Sequence, residues 1–141
     1  MELVLKRCSE LDIENIFLFN KHLIDTYENL ENIDYEYVLR WISLKIEKNI
    51  HEYTSIYLFD QLVGYYRFHE VEDKMELDDF FVIEEYRNKG IGTAVLKQLI
   101  QTNKTIFLYV FVKNIHAIRL YERFGFKIIE YIHNTRCVME R

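Results

Sequence analysis

The chain has 141 residues, of which 50% are hydrophobic and 16% aromatic, a composition that excludes intrinsic disorder and predicts one well-packed domain over residues 1–141. Its net charge of −5 argues against nucleic acid as a partner and favours a cationic one. No apolar run approaches the roughly 20 residues of a membrane span, the first residues lack a signal peptide's basic start, and Cys8 and Cys137 have no metal-ligand spacing, so we expect a cytoplasmic protein without a membrane partner.

The first third of the chain predicts a strand followed by two helices. Leu3 to Lys6 is typical of a short strand, and Ser9 and Asp12 form the start signal of a helix. The first helix carries the apolar stripe Ile13, Ile16, Phe17, Ile24 and Tyr27. After a polar break, Asp34 can cap a second helix, whose predicted apolar side is Val38, Trp41, Ile42 and Ile46.

A hairpin is predicted next, since the strand-like runs Ser55–Phe59 and Leu62–Glu70 are separated only by the short turn Asp60–Gln61. The charged turn Val71–Lys74 then leads into a central strand that ends in the apolar run Phe80–Ile83.

The stretch from Glu76 to Gly92, ELDDFFVIEEYRNKGIG, joins this strand to a helix through a basic, glycine-containing turn. Unpaired N–H groups in the first turn of a helix attract anions, and Gly90 and Gly92 leave room for an anion to approach the backbone. Arg87 and Lys89 add positive charge at the same place. The junction therefore predicts a phosphate-binding loop.

The last part of the chain predicts one more strand and helix and a final hairpin. Thr105–Val112 is a strand, Asn114 can cap the following helix, and Gly125 is placed to end it. Phe126–Ile132 and Arg136–Glu140 are expected to pair as antiparallel strands. The order of elements predicts an α/β fold with a mixed, mostly antiparallel sheet of about six to seven strands and helices on both faces.

Two motifs resemble a known family. The segment V-x-x-E-Y-R-x-K-G-x-G is similar to the coenzyme A pyrophosphate loop of the GNAT acetyltransferases, with Arg87, Gly90 and Gly92 at its fixed positions. Residues 114–126 are similar to a second family element, N-x-x-A-x-x-L-Y-x-x-x-G-F. The resemblance implies a single GNAT domain that transfers an acetyl group from acetyl-coenzyme A to a primary amine, directly, in a ternary complex.

The resemblance also implies which residues bind the coenzyme. Backbone N–H groups of the loop would hold the pyrophosphate, the central strand would pair its backbone with the pantetheine arm, and the second motif would complete the site. These residues are Phe81, Val82, Arg87, Asn88, Lys89, Gly90, Ile91, Gly92, Thr93, Asn114, Ala117 and Tyr121. The five histidines form no ligand cluster, so no metal is expected.

Three residues are candidates for catalysis. Tyr121 occupies the position at which the family places its general acid; the alternative is a tyrosine that only packs its helix. Glu76 and Asp78 lie on one face of the central strand by alternation, with Leu77 and Asp79 on the other.

The segment L-D-D-F-F-V resembles the L-E-D-F-F-V segment of the spermidine/spermine acetyltransferases. In this chain, Asp78 stands where that segment has the longer glutamate. Three alternatives to direct contact between Asp78 and the amine stay open. A water molecule could bridge them, His69 could be the base, or the carboxylates could only form a solvated strand end.

The acceptor itself stays open between classes. A small cationic amine or polyamine is the first hypothesis, and a peptide, protein N-terminus or lysine is the second. A non-catalytic acetyl-coenzyme A-binding module is the opposing class. Association into a homodimer is left open.

Overall fold

The computed structural model describes all residues, 1–141, and contains four α-helices and seven β-strands. The helices are α1 (Ile13–Tyr27), α2 (Tyr35–Lys48), α3 (Ile91–Leu99) and α4 (Ile115–Arg123). The strands are β1 (Leu3–Arg7), β2 (Tyr53–Leu58), β3 (Gln61–Val71), β4 (Lys74–Val82), β5 (Ile106–Phe111), β6 (Lys127–Ile132) and β7 (Arg136–Glu140). None of the helices combines the length and apolar character that crossing a membrane requires.

All seven strands form one mixed sheet in the order β1-β2-β3-β4-β5-β7-β6. The pairing of β4 with β5 is parallel, and every other pairing is antiparallel. The predicted α/β class and mixed sheet are therefore confirmed. The parallel pair arises because α3 carries the chain across the sheet between β4 and β5.

Helices cover both faces of the sheet, as predicted. On one face, α1 and α2 pack over a cluster that includes Ile16, Ile46 and Tyr65. On the other, α3 and α4 pack over a larger cluster that includes Leu96 and Leu108. Each fully buried aliphatic side chain of this kind contributes about 1.5–3 kcal/mol to the free energy of unfolding, so the two clusters fix the sheet between its helices.

Several predicted helix starts and ends are confirmed by hydrogen bonds or backbone angles in the structure. The Ser9 hydroxyl accepts from Leu11 N, and the Asp12 carboxylate accepts from Ser9 N. This capping box starts a short 3-10 turn, Glu10–Asp12, which leads directly into α1. Asp34 caps α2 by accepting from Tyr37 N. At the end of α4, Gly125 adopts φ +87°, the left-handed conformation that glycine takes after a helix.

Two predicted details are wrong. The first hairpin turns at Phe59 and Asp60, both at positive φ, and Gln61 already belongs to β3. On α2, Ile42 and Ile46 are buried as expected, but Trp41 is 57% exposed. The sheet covers a narrower stripe of this helix than the apolar pattern suggested, so the indole remains at the surface.

The position of the site is set by two irregularities of β4. A bulge interrupts its pairing with β3 between Tyr65 and Arg67, where Asp79 adopts φ +49°. On its other edge, β4 pairs with β5 only through Met75 and Glu76. Beyond Glu76 no ladder joins the two strands, so a gap opens between them in the middle of the sheet.

Candidate active site

The predicted phosphate loop lies between β4 and α3, at the surface. Residues 87–90 are exposed, and both Asn88 and Gly90 have positive φ, at +61° and +85°. Gly90 immediately precedes the first turn of α3, whose N–H groups have no partner within the helix. This backbone geometry suits an anion such as a pyrophosphate, with Arg87, Asn88, Lys89, Gly90, Ile91, Gly92 and Thr93 around it.

The side chains of the loop are held by neighbours rather than free. Arg87 Nε donates to the carbonyl of Val82 at 2.9 Å, which ties the loop to the end of β4. Lys89 Nζ lies 5.7 Å from the centre of the Tyr86 ring. His116 of α4 contacts Asn88 Oδ1 through Nε2 at 3.0 Å. The loop is thus fixed by both β4 and α4 before any ligand arrives.

The two glycines have different reasons for lacking a side chain. A Cβ on Gly92 would lie 3.1 Å from Leu120 Cδ2, so this glycine lets α3 approach α4. The sequence also predicts close approach by an anion at this position, and that stays a prediction. A Cβ on Gly90 would meet nothing closer than Met1 Cε at 3.5 Å, but φ at this position is +85°. Gly90 is required for backbone conformation.

A Gly90→Val variant is expected to lose about 1–3 kcal/mol of unfolding free energy, because a β-branched residue is strained at positive φ. Coenzyme A affinity is expected to fall about tenfold or more, since the valine side chain would stand beside the anion-binding N–H groups. Thermal unfolding and calorimetry measure the two effects separately.

Gly90→Asn is the matched variant, since asparagine tolerates the left-handed conformation. If Gly90→Asn binds coenzyme A as tightly as the wild type, the space at this position is not part of the binding site.

The edge of β4 beside the gap contains Phe81 and Val82. On the β3 side these residues pair with Tyr65 and Gly64, and on the β5 side their backbone has no partner strand. The Phe81 ring is buried and stacks on Phe19 of α1 at 5.6 Å. The open backbone edge is the feature that a pantetheine arm would need, and that assignment stays a prediction.

Helix α4 brings the second motif to the same gap. Asn114 Oδ1 accepts from Ala117 N at 3.3 Å and so caps the helix. Tyr121 is buried, and its ring lies 5.6 Å from that of Phe126. Its hydroxyl has no hydrogen-bond partner within the chain. Burial and the charge of Asp78 raise the pKa of Tyr121, so the phenol stays protonated.

The bulge places Asp78 and Asp79 on the same side of β4, although alternation had predicted opposite faces. Lys45 Nζ of α2 contacts Asp78 Oδ2 at 2.9 Å and Asp79 Oδ2 at 3.0 Å. Tyr53 donates its hydroxyl to Asp79 Oδ2 at 2.6 Å, and Arg67 Nη1 lies 3.2 Å from Asp78 Oδ2. The prediction for Asp79 is therefore wrong, because an extra residue in the bulge reverses the alternation after Asp78.

These contacts shift the pKa values of the two carboxylates in opposite directions. Burial opposes ionisation of Asp78, but Lys45 and Arg67 outweigh it and hold its pKa below the usual value. Burial and the neighbouring charge of Asp78 raise the pKa of Asp79. Asp78 is therefore an ionised anchor for cations and a weak proton acceptor.

Glu76 lies two residues earlier on the same face and pairs with His69 across the strands, with Oε1 and Nε2 2.8 Å apart. Burial, and then the charge of Asp78, raise the pKa of Glu76. A carboxylate with a raised pKa is better matched to proton transfer near neutral pH than an ordinary one. A cavity of about 340 Å³ lies beside His69, and its lining includes Glu52 and Glu70 as well as Arg7.

Sequence reasoning named Glu76, Asp78 and Tyr121 as candidates but did not name Lys45, Arg67 and Tyr53, which contact the carboxylates of β4. Each of the three contacts β4 from another element, and Lys45 is separated from Asp78 by 33 residues of sequence. The one local signal was a lysine on the inner side of an amphipathic helix, one turn from the buried Ile42 and beside the buried Ile46.

Comparisons with known proteins show the family and the fold. The model of the acetyltransferase (GNAT) family matches residues 12–126. The spermine/spermidine N(1)-acetyltransferase of Bacillus subtilis is 40% identical over 102 residues, covering 61% of this chain and 67% of that protein.

Two solved structures share the fold. The PaiA N-acetyltransferase of Thermoplasma acidophilum, in complex with coenzyme A, superposes with a TM-score of 0.74 at 20% identity, covering 100% of this chain and 99% of the other. An N-acetyltransferase of Staphylococcus aureus gives a TM-score of 0.73 at 13% identity, covering 98% and 100%.

Proposed function

Because the chain belongs to the GNAT family of acetyltransferases, we propose that it acetylates a primary amine of a small polycationic acceptor, using acetyl-coenzyme A directly in a ternary complex. The observation that carries the proposal is the gap between β4 and β5. Asp78 lies on β4 beyond its last pair with β5, and Tyr121 of α4 belongs to the buried cluster that both strands share.

The residues around the gap fit coenzyme A. The loop before α3 offers a preformed anion site, and the edge of β4 next to it offers an unpaired backbone at Phe81 and Val82. The coenzyme supplies an acetyl group activated as a thioester. The chain contributes the rest by orienting the two reactants, which can account for a large part of the rate of such a transfer.

The face with α1 and α2 fits a cationic acceptor. Glu76, Asp78 and Asp79 follow one another along β4, and Glu52 and Glu70 line a cavity beside His69. A polyamine is a flexible chain with several ammonium groups, so it can meet successive carboxylates. The name of the Bacillus subtilis relative supports this acceptor class.

Two proton movements complete the proposal. Glu76 accepts the proton that the acceptor amine must lose before it attacks, and His69 orients that carboxylate. Tyr121, which remains protonated, donates its hydroxyl hydrogen towards the departing sulfur. Asp78 and Asp79 bind ammonium groups and attract the acceptor into the site.

An amine panel tests the proposal. The protein, acetyl-coenzyme A and each acceptor are combined, and free thiol release is followed. We expect turnover with spermidine and spermine, because they carry several ammonium groups, and much slower turnover with peptides. Turnover with peptides alone would replace the proposal with a protein acetyltransferase. Coenzyme binding without turnover on any acceptor would replace it with a binding module.

A further inference from the structure

Lys45 reaches from α2 into the acidic face of β4. Its ammonium contacts Asp78 and Asp79 at 2.9 and 3.0 Å, its side chain is only 16% exposed, and it lies 5.9 Å from the centre of the Trp41 ring. Two carboxylates with an aromatic face beside them are the groups with which proteins recognise an ammonium ion. The chain thus holds one of its own ammonium groups in an ammonium site.

We propose that Lys45 is a specificity-determining residue that occupies the acceptor's ammonium site until a cationic acceptor displaces it. This inference rests on the proposed function and adds to it the residue with which the acceptor must compete. The site, here called the ammonium cage, consists of Asp78, Asp79, Tyr53 and Trp41.

The position of the cage supports this assignment. The bulge at Asp79 turns both carboxylates to one side, at the level where β4 has separated from β5. β-Bulges are over-represented next to active sites, where they redirect side chains. The charge of Asp78 helps to raise the pKa of Tyr121. The cage is therefore electrostatically coupled to the hydroxyl proposed to protonate the sulfur.

Charge balance explains why displacement is expected rather than simple addition. Lys45 and Arg67 contact the same oxygen of Asp78, and Lys45 and Tyr53 contact the same oxygen of Asp79. An added ammonium would lie against two resident cations. Exchanging one ammonium for another keeps the charges and hydrogen bonds of the cage nearly unchanged.

Lys45 is able to leave. A lysine ammonium is a compact charge on a flexible four-carbon stem, unlike the planar fork of an arginine. Trp41, one turn earlier on α2, is largely exposed, so the stem can lie along the indole while the ammonium enters water. By contrast, Arg67 is bound to Glu52 through two nitrogens, at 3.0 and 2.6 Å, and is held in place.

Binding of spermidine to the coenzyme-free protein tests the proposal, measured by calorimetry. In Lys45→Met the resident charge is gone, and we expect spermidine to bind more tightly, by about tenfold or more, because its ammonium no longer has to displace a resident one. An uncharged diol of matched length should gain nothing. Lys45→Arg keeps the charge and should show no gain, and Lys48→Met, at an exposed position of the same helix, should match the wild type.

Lys45→Gln is a second neutral variant, for use if the methionine variant fails to fold. Its amide can still donate a hydrogen bond to the carboxylates. Spermidine binding that is unchanged or weaker in the folded neutral variants would overturn the proposal, as would an equal gain for the diol. Failure of the proposed function would be seen in a different experiment, the amine panel, in which the wild-type protein would acetylate no polyamine.

Discussion

Replacing Glu76 by glutamine is expected to lower kcat/KM for spermidine by about 10²–10⁴-fold, the usual loss when a general base is removed. The amide keeps the size of the carboxylate and can still contact His69, so the fold should persist. The pH profile gives a second readout. Because the pKa of Glu76 is raised, the wild-type rate should fall on the acidic side at a pH above the usual range of a glutamate. That limb should disappear in Glu76→Gln.

Asp78→Asn is the informative comparison for this experiment. Asp78 is proposed to anchor cations, so its loss should raise KM more than it lowers kcat, with an effect that weakens as salt is added. Glu130→Gln, at an exposed position of β6, should leave both constants unchanged. If Glu76→Gln retains full activity with an unaltered pH profile, the proton leaves by another route and Glu76 only pairs with His69.

Tyr121→Phe is expected to lower kcat by about tenfold or more while coenzyme A affinity changes little. The substitution removes only the hydroxyl, and the ring keeps its packing against Phe126. Since that hydroxyl has no partner within the chain, its loss breaks no internal hydrogen bond and the unfolding free energy should hardly change. Stopped-flow or steady-state thiol release measures kcat, and calorimetry measures the affinity for coenzyme A.

Tyr131→Phe provides the matched control, because Tyr131 is 65% exposed on β6. It should behave as the wild type in both measurements. A Tyr121→Phe protein that turns over at full rate across the whole pH range would leave Tyr121 as a packing residue and return the proton to water.

The separate roles of Glu76 and Asp78 illustrate how neighbouring carboxylates acquire different chemistry. Both lie on one face of β4, two residues apart, yet Asp78 contacts two cations and Glu76 contacts a histidine. The pKa of the first is lowered and that of the second is raised. Only the surroundings that the fold brings to each carboxylate make one a cation anchor and the other a candidate base.

The sequence by itself determined the features that depend on neighbours in the chain. Apolar periodicity predicted the helices and strands, and Ser9, Asp34 and Asn114 marked helix starts because a cap bonds to N–H groups two or three residues away. The loop from Arg87 to Gly92 was recognisable for the same reason. The anion site proposed there consists of consecutive backbone groups and needs no distant partner.

The tertiary structure alone decided which side chains meet. Alternation predicted Asp79 on the wrong face, because a bulge is set by pairing with β3 and has no clear signal in β4 itself. At Gly92, only the packing of α3 on α4 shows that Leu120 also requires the space. Lys45 looked like any helix lysine, and only the packing of α2 on the sheet brings its ammonium to the two aspartates.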